Sequence, residues 1–383
     1  MKKNFVVAST SLALCLPALA MANPPGGTVI LQGYIDTGIM VERTRGGTTK
    51  AMMKSGQEDA SRIILLGIEP LSAENRVMFF LEQDFDANNG QTKDLLSDGS
   101  NWAFNAQSTL SFINDRYGEF GMGHLYSFNS TPGKEGWTKK MDAFYTYMEA
   151  SLFGTSGYTL VSNSAYWISP RWAGFQTGLL FSINGENTKE ADGAFSKNNR
   201  FWNAAVNYEK GPAQGILSLA GTIMGSGDKA KNPFQLRVGG NYNFGPARVF
   251  AGYTYHKNNT RLSIPSPEYI GAAMALVHSP EGNGKGIDTH AFNIGIHIPF
   301  HGATLIGQYQ YMTGKVKNPL LTQAVFRGYD KVKKNILAAG VRYPLSKRTH
   351  LYTVGAWADG KKGLSVDKTS NRWILMAGLG HSF

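Results

Sequence analysis

Trp373–Phe383 reads WILMAGLGHSF, and its alternation decides the fold. Trp373, Leu375, Ala377, Leu379, His381 and Phe383 share one parity. Arg372, Gly378, Gly380 and Ser382 share the other, softened by Ile374 and Met376. Successive side chains of a β-strand point to opposite faces, so the segment carries one apolar face and one small or polar face. A strand that finishes on a large apolar group such as Phe383 suits a surface that meets hydrocarbon better than one that meets water.

The N-terminus points to export. Lys2 and Lys3 precede an apolar run from Phe5 to Leu19 and then Ala20-Met21-Ala22, the layout of a signal peptide with an A-x-A cleavage site. The expected organisation is a signal peptide over residues 1–22 and a single domain over residues 23–383. Cys15 is the one cysteine, and Leu14 before it is unlike the small residue a lipobox needs. Once the signal is removed the chain has no cysteine, which excludes disulfides and thiolate metal sites.

After residue 22 no run reaches the ~18–20 apolar residues of a membrane helix. The chain is nevertheless 12% aromatic, with 45 glycines and a mean hydropathy of −0.24. A transmembrane barrel produces this combination, because lipid-facing and lumen-facing residues alternate and cancel. The formal charge of +11 becomes +9 without Lys2 and Lys3. Export argues against nucleic acid as the partner of that charge and leaves anionic lipid or anionic solutes.

Period two recurs along the chain. Phe234, Leu236, Val238, Gly240, Tyr242 and Phe244 oppose Gln235, Arg237, Asn241 and Asn243. After the tight turn at Gly245-Pro246, Val249, Ala251, Tyr253 and Tyr255 oppose Arg248, Thr254 and His256. Such segments predict strands near 28–43, 60–69, 74–86, 104–114, 116–126, 162–171, 174–185, 199–210, 213–225, 232–244, 247–259, 289–299, 303–316, 333–345, 348–360 and 371–383. About sixteen antiparallel strands make an all-β transmembrane barrel wide enough for water. Short connections, such as Gly211-Pro212 and Ser346-Lys347, alternate with long polar ones at 186–198, 260–288 and 317–332. The break at 127–161, with a partly helical-looking piece from Lys139 to Leu152, is the longest in the first half and reads either as an inward-folded constriction loop or as a surface lid or excursion.

Several segments resemble the general porins of Gram-negative bacteria, particularly the trimeric type of β-proteobacteria with about sixteen strands. Gly33-Tyr34-Ile35-Asp36-Thr37-Gly38 resembles that family's first strand, and Ser61-Arg62 with Gly67, Glu69 and Leu71 its second strand and turn. Gly118-Glu119-Phe120-Gly121, Asn163-Ser164, Ser169-Pro170, Leu345-Ser346-Lys347-Arg348-Thr349 and the ending Gly378 to Phe383 follow in the family's order. The resemblance implies an outer-membrane channel for ions and small hydrophilic solutes, assembled as a homotrimer among lipid and lipopolysaccharide. Leu379, His381 and Phe383 would form the assembly signal read by the barrel-assembly machinery. No cofactor is implied. The departures concern the pore: where the family often carries basic residues this chain has Leu66, Ala106 and His124.

Parity places Asp36, Arg62, Arg76, Glu82, Arg237, Arg248 and Arg342 on the inner face. Arg or Lys turned toward lipid at midplane costs about 2–4 kcal/mol, which favours the inward assignment for central positions; rim positions only solvate the barrel ends. Lys134, Asp142 and Glu149 are further constriction candidates on the inward segment. Asp142 and Glu149 either oppose Arg62 across the lumen or simply solubilise the loop. The expectation is a weak anion preference with Arg62 as the main wall charge. Enzyme signatures are weak, with no H-E-x-x-H spacing and no nucleophile elbow. The alternatives are a substrate-selective channel or barrel enzyme in the same membrane, and a secreted soluble β-rich binding protein.

Overall fold

The computed structural model describes residues 26–93, 103–130, 136–144, 160–183, 195–259, 276–277, 283–368 and 370–383. The strands are β1 (Thr28–Thr44), β2 (Thr49–Ser55), β3 (Arg62–Pro70), β4 (Asn75–Asp84), β5 (Gln107–Asn114) and β6 (Gly118–Tyr126). They continue as β7 (Leu160–Ile168), β8 (Phe175–Ser182), β9 (Arg200–Lys210), β10 (Ala213–Ile223), β11 (Phe234–Asn243) and β12 (Arg248–Asn259). The last five are β13 (Ile287–Phe300), β14 (Ala303–Val316), β15 (Lys331–Pro344), β16 (Thr349–Lys362) and β17 (Asn371–Ser382).

Apart from β2 and β3, each strand pairs antiparallel with its neighbour in sequence, and β17 returns to β1, from Tyr34↔Ser382 to Thr44↔Arg372. On its other side β1 pairs with β2 from Thr37↔Ser55 to Arg43↔Thr49 and with β3 from Thr28↔Ile68 to Tyr34↔Arg62. The segments β2 and β3 therefore share one position, and the described strands close as a sixteen-position barrel. Strand existence and type agree with the period-two reading, and β14 matches its expected bounds of 303–316. The structure adds β2, which no expected strand covers; Lys50 and Lys54 interrupt the short apolar pattern of its sequence.

The break between β2 and β3 has a local cause. Gly56 takes φ +66, a left-handed conformation that glycine adopts without a Cβ penalty. Residues 57–61 then dip into the lumen instead of continuing the ladder, and Gln57, Glu58 and Ser61 are buried there.

Burial alternates as a barrel requires. Leu31, Ile39, Leu110, Met122, Phe292, Ile294, Leu337 and Leu375 face outward and exposed, while Asp36, Glu82, Arg237, Asn293 and Gln308 face inward. Aromatic pairs mark both ends of the outer wall: Phe175–Tyr208 and Tyr242–Phe244 at the short-turn end, and Tyr253 hydrogen-bonded to His290 (2.8 Å) nearer the other. On β17, Leu379 and Phe383 face outward. The backbone amides of Gly33 and Phe383 donate to each other's carbonyl oxygens at 3.1 Å, which seals the end of the β1–β17 seam.

A Cβ on Gly33 would collide with the Phe383 ring and lie 2.6 Å from the Arg62 carbonyl oxygen, which is backbone and cannot swing aside. Gly33→Val is expected to destabilise the folded barrel by about 1–3 kcal/mol. A lowered urea midpoint of the protein in micelles checks this, and an unchanged midpoint contradicts it.

Candidate functional site

The chain between β6 and β7 enters the barrel. Trp137–Met141 forms a 3-10 turn, and of the partly helical-looking stretch from Lys139 to Leu152 the residues from 145 onward lie outside those described. The turn lies against the inner face of β10, β11 and β12. It fits because those strands are hollowed there. A Cβ on Gly239 would stand 2.6 Å from Met141 Cβ, one on Gly252 2.5 Å from Met141 Cε, and one on Gly295 2.6 Å from Ala143 Cβ.

Wall amides satisfy the loop backbone. Asn241 Nδ2 donates to the Lys140 carbonyl (2.7 Å), and Asn293 Nδ2 to that of Met141 (2.5 Å). Gln308 accepts from the Ala143 amide (2.6 Å) and donates to Asp142 (2.7 Å), while a ring nitrogen of His297 lies 2.8 Å from the Ala143 carbonyl. Lys140 bonds Asn207 and Glu209. Burial pushes the Asp142 carboxyl up to about 6, against the opposing pull of Gln308, the Phe144 amide and Arg237.

Past Asp142, Phe144 joins a buried apolar cluster that also holds Met40, Val354 and Tyr352. Tyr352 begins a polar cluster on β15, β16, β1, β3 and β4. Its hydroxyl donates to Asp36 (2.6 Å), which also accepts from the backbone amides of Glu58 (2.6 Å) and Asp59 (3.1 Å). Glu58 accepts from Tyr34 (2.7 Å), lies 3.3 Å from Arg342 Nε, and bonds His350. Arg62 bonds Asp59 and lies 3.6 Å from Glu82, which in turn accepts from Gln107 (2.8 Å). Asp84 follows Glu82 on the same face of β4 and opposes Arg62 in register.

The structure thus gathers Asp36, Arg62, Glu82 and Arg342 on one wall and sets Arg237 and Asp142 on the opposite side. Two expectations need correction: Arg76 and Arg248 stand at the short-turn rim, the former paired with Asp115 (2.6 Å) and the latter opening β12. Strand ends share parity with strand centres, so parity could not separate the two. Lys134 and Glu149 fall outside the described residues. Glu58, Asp59 and Asp84 were missed. The only signal for the first two was Gly56 ahead of an acidic pair.

Comparisons place this geometry in a family. The model of the Gram-negative porin family matches residues 8–363. An outer membrane porin protein of Bordetella pertussis is 25% identical over the whole of both chains, and outer membrane porin protein 32 of Delftia acidovorans is 22% identical over the same extent. Among solved structures, the anion-selective porin from Comamonas acidovorans is 20% identical, with a TM-score of 0.67 over 94% of this chain and 100% of that one. OmpF of Salmonella typhi is 12% identical, with a TM-score of 0.65 over 94% of this chain and 98% of that one. The chain belongs to the Gram-negative porin family. It is an outer-membrane β-barrel that forms a channel for passive diffusion.

Two outcomes test the site. Gln308→Ala removes two bonds to the loop and is expected to cost about 1–3 kcal/mol, read as a lower thermal midpoint with noisier open-channel current. Below about pH 6 Asp142 gains a proton, which removes a negative charge beside Arg237 and makes this part of the lumen more positive. Ion selectivity is therefore expected to drift toward anions on going from about pH 7 to about pH 5, and Asp142→Asn is expected to reduce that drift. An undiminished drift in the variant would remove Asp142 from the constriction.

Proposed function

We propose that the narrowest part of the channel lies between residues 137–144 and the wall that carries Asp36, Arg62, Glu82 and Arg342. One observation carries the reading: Phe144 at the end of the described loop shares a buried apolar cluster with Tyr352, and Tyr352 hydrogen-bonds Asp36. Loop and charged wall therefore meet at one level of the barrel. Ions and small hydrophilic solutes cross there by diffusion, sorted by width and fixed charge, with no covalent step.

The protein works as a homotrimer in contact with outer-membrane lipid and lipopolysaccharide. The barrel-assembly machinery takes it up through the outward face of β17, where Leu379, His381 and Phe383 sit. Residues 1–22 direct export. The resemblance to trimeric porins supports the assembly, and the closed ladder with its polar inner face supports the pore.

Single-channel recording of detergent-extracted protein in a planar lipid bilayer tests both parts. Large ohmic steps that close in groups of three are expected. Folded protein that gives no steps overturns the pore, and independent single closures overturn the trimer.

A further inference from the structure

Among the ladders of the described strands, two positions set like formal charges directly opposite one another, and both lie on the outer wall. Lys315 on β14 opposes Lys331 on β15, and Lys333 on β15 opposes Lys361 on β16. Their outward direction follows from the alternation around them. Gln310, Met312 and Val316 of β14 are buried inside, as are Val332, Lys334 and Ile336 of β15, so the lysines between them turn away from the lumen. Lys315, Lys331 and Lys361 are exposed, and Lys333 is half-buried.

Side chains directly opposite on an antiparallel pair have Cβ atoms about 4.5–5.5 Å apart, close enough for two ammonium groups to repel and weaken the sheet. The nearby carboxylates do not relieve both pairs. Asp359 holds Lys361 at 3.3 Å. Asp288 opposes Lys315, but it contacts Lys317 at 3.6 Å and accepts from the Asn258 amide at 2.9 Å. Asp330 precedes Lys331 and is exposed. Lys315, Lys331 and Lys333 form no ion pair among the described residues.

Single outward cations pose no such problem. Arg43 opposes Thr49 and Trp373, Arg200 opposes Ile223, and Lys257 opposes Phe234. A lone lysine near the end of a transmembrane strand extends its ammonium group to water or headgroups at little cost. Two opposed pairs on three adjacent strands go beyond that and call for an anion between them.

The surface next to the lysines identifies the anion. Tyr309, Leu337, Trp357 and Trp373 stand in mutual register across β14 to β17, all exposed on the same outer face. Lys333 is four residues from Leu337, roughly 13 Å along the strand toward the long-loop end. In outer-membrane barrels the long loops are external. Cations therefore stand at the level of outer-leaflet headgroups, and an apolar, aromatic wall stands where acyl chains run.

We infer that the outward face of β14, β15 and β16 holds a phosphorylated glycolipid of the outer leaflet. Its phosphate groups lodge between Lys315 and Lys331 and between Lys333 and Lys361, and its acyl chains lie against Tyr309, Leu337 and Trp357. The inference deepens the contact with outer-membrane lipid proposed above and rests on it. A phosphate monoester carries about −1.5 to −2 charge at neutral pH, which turns each repelling pair into two attractive contacts. The lipid then completes this part of the wall.

Thermal unfolding of the purified protein in micelles tests the site. The probes are a diphosphorylated, acylated disaccharide, its dephosphorylated form, and inorganic phosphate, each at the same concentration. The diphosphorylated lipid is expected to raise the midpoint saturably by several degrees, and the other two to leave it nearly unchanged. The double variant Lys315→Gln, Lys333→Gln is expected to unfold at a higher temperature than wild type without lipid, because the repulsion is gone, and to lose most of the lipid-dependent rise. Lys257→Gln, which removes an isolated outward lysine, is expected to keep that rise.

Equal rises with the phosphorylated and dephosphorylated lipids mean an apolar seat alone and overturn the inference. An equal rise with inorganic phosphate means a free-anion site and overturns the lipid. An undiminished rise in the double variant moves the site away from β14–β16. Should that variant not fold, the wild-type comparison of the three probes decides. Wild-type protein that inserts into phosphatidylcholine vesicles yet shows no rise overturns the inference alone, whereas failure to insert overturns the lipid contact beneath it.

Discussion

Inside a bilayer no peptide group that faces hydrocarbon can be left without a hydrogen-bond partner, and the rest of this structure depends on how that demand is met. A sheet meets it only by closing on itself. Here the closure is the β1–β17 ladder, which runs from Tyr34↔Ser382 to Thr44↔Arg372 and ends in the paired bonds between Gly33 and Phe383. Once the ring is closed, strand parity becomes an inside and an outside. Every charge that parity turns inward can be solvated by the lumen, and every large apolar residue turned outward meets lipid.

The interior is then a problem of filling a wide ring without blocking it. Residues 136–144 solve it by lying along the wall. Glycines at 239, 252 and 295 remove the side chains that would hold it off, and Asn241, Asn293 and Gln308 take up its backbone groups. The opposite wall is shaped by a different device, the break at Gly56 that lets Glu58 and Asp59 leave the ladder and reach Asp36, Arg62 and Arg342. Both devices use the same freedom: a short stretch of backbone stops serving the sheet and its polar groups are satisfied by inward side chains.

Much of the fold was legible in the chain. The alternation in Phe234–Phe244 and Trp373–Phe383 named the outward residues correctly, because a period of two is all that a strand between water and lipid demands. The lumen side of Asp36, Arg62, Glu82, Arg237 and Arg342 followed from the same rule. Height along the barrel did not, since Arg76 and Arg248 carry the right parity and still sit at the rim. Nor did the company each charge keeps: Arg62 reads as a lone cation in β3, and only folding brings Asp59, Glu82 and Asp84 around it.

The sequence by itself determined a chain of alternating strands with one apolar and one polar face that closes in a membrane, because hydrophobic parity and turn spacing are local properties written residue by residue. Tertiary structure alone decided which residues lie across the inside of the ring and which partners the inward charges keep. Those depend on register across sixteen positions and on residues as distant as Asp36 and Tyr352, which the closure of the ring places 2.6 Å apart.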